Sequence, residues 1–184
     1  MRSGRWIWAF AAAVGLAGHS QAQEVEKCTA VAAPPAEFAH WSEAAPLTAA
    51  TTPAAARRLV VPLGTARKLA LAFGSTVEYA APPERPDAGA GKAGMIAFDV
   101  ARQGRYRVAL SAGPWIEVVR DGKTAKSVAH GHGPDCTGIR KIVDFELSPG
   151  RYVLQLTASD TPEVTVMVSP AAAAPAAAPH GSGH

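Results

Sequence analysis

The residues best equipped for chemistry lie in one short stretch, His130-Gly131-His132-Gly133-Pro134-Asp135-Cys136. Two imidazoles one residue apart, and a thiol four residues on, are donors that copper, zinc or iron accept. On a strand, His130 and His132 would project the same way, which suits shared ligation. Asp135 is a further donor, and His40 or the tail histidines His180 and His184 could complete the set. Cys136 has a competing use. It and Cys28 are the only cysteines, and in an exported chain an isolated pair forms one disulfide. A disulfide sulfur is a poor metal ligand, so the two uses exclude each other at Cys136. A third reading takes the same loop as an anion cradle. Gly131, Gly133 and Gly138 would free backbone N–H groups, with Arg140 and Lys141 adding charge.

Other chemistry is sparse. No G-x-S-x-G elbow occurs. The carboxylates Asp99, Glu117, Asp144 and Glu146 fall on strand-like segments. Glu117, between Ile116 and Val118, is expected to face solvent. Beyond the first 22 residues there are two tryptophans. Trp115 follows Gly113-Pro114 and is expected in the core. Trp41 stands in an Ala/Pro-rich stretch, where it would dock on the domain or offer a stacking face to a sugar ring.

The elements that must position these residues are strands. Arg57–Leu63, Thr65–Phe73 and Thr76–Ala80 are short candidates, with Leu69, Leu71 and Phe73 on one face. A loop follows at 81–94. From Met95 the period-two pattern is regular. Ile96, Phe98 and Val100 share a face, as do Tyr106, Val108 and Leu110 in the next strand. Trp115–Arg120 and Lys123–Ala129 flank Asp121-Gly122, a strong two-residue hairpin signal. Ile139–Leu147, Arg151–Ala158 and Glu163–Val168 complete eight to ten short strands. Gly104-Arg105-Tyr106 and Gly150-Arg151-Tyr152 echo each other as turn, tyrosine and strand. Many short strands separated by turns predict a single all-β antiparallel sandwich, jelly-roll-like, with each sheet packed on one face and wet on the other.

The succession FDV, GRYRVAL, WIEVVRDGK, FELSPGRYVLQL and VTVMV resembles the bacterial pre-peptidase C-terminal domain and related jelly-roll sandwiches. The resemblance covers about 94–168 and implies a non-catalytic accessory or binding module. The HGHGPDC insert is not part of that pattern. A fainter resemblance is to small exported proteobacterial proteins labelled homogentisate 1,2-dioxygenase. True members of that enzyme family are far longer cupin proteins with a His/His/Glu iron site. This chain has neither their length nor their Glu-containing motif.

Met1–Ala22 reads as a secretory signal peptide. Arg2 and Arg5 form the charged start, Trp6–Ala17 the apolar run, and Ser20-Gln21-Ala22 the cleavage site. The apolar run is shorter than the roughly 20 residues a membrane helix needs, so no transmembrane segment is expected. Cleavage near Ala22 would leave a periplasmic or secreted protein. It would also take Lys+Arg from 18 to 16 against 15 acidic residues, lowering net charge from +3 to +1. That balance excludes a nucleic-acid surface, which needs clustered basic residues. Residues 23–56 read as an Ala/Pro-rich leader pinned by the disulfide, 57–168 as the sandwich and 169–184 as a disordered Ala/Pro/His tail. The functional expectation is an exported module without enzymatic activity or cofactor. It would bind a small ligand, a glycan or a protein partner through Trp41, Arg140 and Lys141. The alternative is a small periplasmic metalloprotein holding one Cu, Zn or Fe ion through His130, His132 and Asp135, with dioxygenase-like chemistry.

Overall fold

A computed structural model describes residues 28–172 of the chain. The expected signal peptide and nearly all of the expected tail, with His180 and His184, lie outside the described residues. Eleven strands occur among the described residues: β1 (Ala45–Thr48), β2 (Arg67–Ala70), β3 (Ala72–Phe73), β4 (Lys92–Val100), β5 (Gly104–Leu110), β6 (Trp115–Arg120), β7 (Lys123–Ala125), β8 (Ser127–Gly131), β9 (Lys141–Leu147), β10 (Gly150–Ser159) and β11 (Glu163–Pro170). One six-residue helix, α1 (Pro53–Arg58), precedes β2. The strands form two sheets, ordered β1-β2-β11-β5-β9-β8 and β3-β4-β10-β6-β7. The protein is an all-β sandwich, antiparallel but for the β1–β2 pair.

Alternation decides the core. Ile96, Phe98 and Val100 meet Tyr106, Val108 and Leu110 between the sheets, with Tyr152, Leu154 and Leu156 beside them. The echoed Gly-Arg-Tyr turns have one physical cause. Each buried tyrosine donates its hydroxyl to the carbonyl four residues back: Tyr106 to Arg102 at 2.8 Å, Tyr152 to Ser148 at 2.9 Å. Each arginine pairs with the carboxylate opposite it in register, Arg105 with Glu146 and Arg151 with Asp99. The Asp121-Gly122 turn joins β6 to β7 with φ of 51° and 73°. Positive φ at both centres is what a type I′ hairpin demands.

Several expectations are corrected. The outer faces of the sheets are not simply wet. Helix α1, capped by Thr52 and started by Pro53, lays Ala56 against Met95, Val119 and Val153 on the five-stranded sheet. Phe38 and Trp41 pack with Ala109, Ile139 and Met167 on the six-stranded one. Residue 57 therefore falls inside α1, and residues 45–48, expected as leader, form an edge strand. The expected strand at 57–63 contributes only an isolated bridge, Val60 to Ala97. That at 76–80 is irregular, since Gly74–Thr76 form a 3₁₀ turn. Leu69, Leu71 and Phe73 do not share one face. The chain crosses between sheets at Leu71, whose N–H bonds Pro162, and Phe73 emerges 65% exposed. Local alternation cannot signal a strand that changes sheet.

Candidate functional site

The disulfide is formed. Cys28 and Cys136 are joined across 108 residues with Cα atoms 5.5 Å apart. Ala32 N–H adds a 2.8 Å hydrogen bond to the Cys136 carbonyl. This consumes the thiol of the metal reading. The remaining donors are not gathered. His130 lies on β8, His132 is exposed beyond its end, and Asp135 lines a separate hollow with Cys28 and Cys136. Among the described residues no three His, Cys, Asp or Glu side chains are grouped to hold a metal ion. His40 pairs instead with Glu43 at 3.0 Å, on the exposed surface. Of the loop glycines, Gly133 serves packing, Gly131 has open space around it, and Gly138 takes a φ of 75°. A Cβ at Gly133 would clash with the Ile139 carbonyl oxygen, so only glycine allows that approach. Its N–H donates to the Arg140 carbonyl.

Trp41 is 7% exposed, held in its cluster by Phe38 and Ile139, so it has no open face for a sugar ring. Arg140 is exposed, and its N–H is spent on the Leu110 carbonyl. Trp115, expected inside, is 37% exposed. The reason is register: Trp115 begins β6 on the outer parity, while Ile116 and Val118 take the core parity.

A cleft of ≈ 570 Å³ opens where the two sheets part at one edge. β7 ends one sheet and β8 ends the other, and Lys126 alone joins them. Ile116, Val143 and Phe145, all buried, supply apolar lining. Trp115, His130, Lys141, Glu84, Thr124 and Ser127 lie on the rim. Of the residues expected from sequence to bind a metal or ligand, only His130 and Lys141 meet here. Lys141 shares the inward parity of Val143 and Phe145. Its Nζ donates to the Pro114 carbonyl at 3.0 Å and stands 5.6 Å from the Trp115 ring centroid. Burial first, and the Arg85 cation second, hold its pKa below that of an ordinary lysine.

Glu117 also borders the cleft and is only 1% exposed, contrary to expectation. It sits on the outer face of β6, where the loop at 81–90 covers it. One carboxylate oxygen accepts the Glu84 N–H at 2.7 Å, the other the Gln155 amide at 2.6 Å. Gln155, opposite Glu117 in register and fully buried, also accepts from the Ala80 and Ala81 N–H groups and donates to the Ala81 carbonyl. This network fixes the loop that forms one wall. Tyr79 lies near it: burial, then the Glu117 charge, raise the phenol's pKa. Sequence reading missed the network because the loop reaches Gln155 from about 75 positions away. A charged residue in an alternating strand otherwise signals solvent.

No protein-family model and no curated protein matches the chain. Among solved structures it is similar to the pre-peptidase C-terminal domain of collagenase from Bacillus anthracis. The identity is 14% and the TM-score 0.36, over 60% of this chain and 92% of that one.

Proposed function

We propose that the protein is an exported, non-enzymatic β-sandwich module that binds a small ligand, a glycan or an exposed group of a protein partner in the cleft between β6–β7 and β8–β9. The observation that carries this reading is the cleft itself. Its apolar lining, exposed tryptophan and few convergent polar groups are the composition by which ligand sites are recognised. Its volume lies in the range of small-molecule sites, about 300–1,000 Å³. Its walls are rigid strand backbone, and the Glu117–Gln155 network fixes the covering loop. The disulfide supports export, because such bonds persist in oxidising compartments.

The test is chemical-shift mapping of the ¹⁵N-labelled protein against a panel of small organic molecules and oligosaccharides. Shifts confined to Trp115, Thr124–Ser127, His130 and Lys141–Phe145 are expected, and Ser127→Trp should abolish them by filling the mouth. Hits that map elsewhere, or survive that substitution, would overturn the assignment. Intact mass of the exported protein should begin at Gln23 and show no bound metal. One equivalent of copper, zinc or iron would favour the His130/His132 alternative instead.

A further inference from the structure

Resting on the cleft as the ligand site, we infer that it selects an organic anion: a carboxylate, sulfonate or phosphate carried on a flat apolar body. The Lys141 ammonium takes the charge and the Trp115 ring takes the body.

Three observations converge. Lys141 is the first residue of β9, and its parity sends the side chain between the sheets instead of into solvent. Its ammonium carries three donors, and Pro114 accepts from it. Among the described residues no carboxylate pairs with it, whereas Arg105 and Arg151 each have one and Arg107 has two. The neighbouring cation Arg85 is itself paired with Asp87, so it supplies no counter-ion and its own charge is already met. A half-buried positive charge without a counter-ion therefore faces an open cleft, beside an exposed indole.

The other charges leave this end to an anion. Glu117 is committed to Gln155 and the Glu84 N–H. Glu84 itself is exposed on the loop. Lys126 and His130 add donors at the corner between β7 and β8. Phe145 and Trp115 give the apolar surface that a bare inorganic ion would not use. A charge-assisted hydrogen bond to a half-buried ammonium favours an anion, and ring contact favours planarity.

The experiment titrates the full chain with two fluorescent probes that share the same aromatic rings: anionic 8-anilinonaphthalene-1-sulfonate and neutral N-phenyl-1-naphthylamine. The anionic dye should bind with one-to-one stoichiometry and at least tenfold tighter. Lys141→Met should weaken it tenfold or more and leave the neutral dye within twofold, while Lys141→Arg keeps most of the affinity. Thermal melts of both variants verify the fold. Benzoate, benzenesulfonate and phenyl phosphate should displace the anionic dye and rank the headgroups, while benzamide should not. Equal affinity for the two dyes, both lost in Ser127→Trp, would overturn the anion preference and leave the cleft standing. Binding that ignores Ser127→Trp would overturn the cleft, and with it this inference.

Discussion

Replacing both cysteines by serine removes a link that closes 108 residues of sequence. In the chain-entropy treatment a loop of about 100 residues is worth about 4.7 kcal/mol at 25 °C, acting through the unfolded state. The native state keeps other anchors for the same segment. Phe38 is fully buried, Trp41 nearly so, and Glu37 pairs with Arg107 at 2.6 Å. The Cys28→Ser/Cys136→Ser protein should therefore fold to the same sandwich and lose stability by about 3–5 kcal/mol. At about 2–4 °C per kcal/mol for a domain of this size, the melting temperature should fall by roughly 6–20 °C. The assay is urea unfolding of the wild type, oxidised and reduced, beside the double variant. Reduced wild type and variant should coincide. The unfolding slope should rise in both, because an unlinked denatured chain exposes more surface. A loss below about 1 kcal/mol, or an unchanged slope, would refute the reasoning, since the predicted effect lies in the denatured chain.

Glu117→Ala should cost about 2–4 kcal/mol in urea unfolding, because it strands the Glu84 N–H and one Gln155 donor under the loop; a near-neutral result would mean that the loop is not held there. Thr157 is fully buried and its hydroxyl has no hydrogen-bond partner among the described residues, so Thr157→Val should be neutral or stabilising by up to about 1 kcal/mol, and a destabilisation in a thermal melt contradicts this. Lys141 gives a pH prediction. Its folded-state pKa is lowered, so below that value both states hold the proton and folding bears the full cost of the half-buried ammonium. Between the folded and unfolded pKa values the unfolded chain binds more protons, and stability rises with pH. Tyr79, raised, works oppositely above its ordinary value, so the quantity to measure is the stability of Lys141→Met minus that of the wild type from pH 7 to 11. The variant's relative advantage should shrink as pH rises; an advantage that grows or stays flat would oppose the assignment.

Short-range patterns in the chain were enough to specify most strands, their turns and most of the core. Two-residue alternation put Ile96, Phe98, Tyr106, Val108, Tyr152 and Leu154 in the core. A pleated strand sends neighbours to opposite faces, and sandwich strands bury one of them. Asp121-Gly122 fixed a hairpin because few residues tolerate positive φ. The two cysteines identified their own bond because no other partners exist. Tertiary structure alone decided what covers the outer faces and where the sheets part. Trp41 and Phe38 cap one sheet, and α1 with the 81–90 loop caps the other. Glu117 is thereby buried although its neighbours in sequence mark it for solvent. His130 and His132 looked like one site because they are two residues apart, yet β8 ends between them. Trp115 and Lys141 meet across 26 positions because β6 and β9, in different sheets, both begin at the same open end of the sandwich. Burial and proximity are properties of a packed surface, and short-range periodicity records only which way each side chain points.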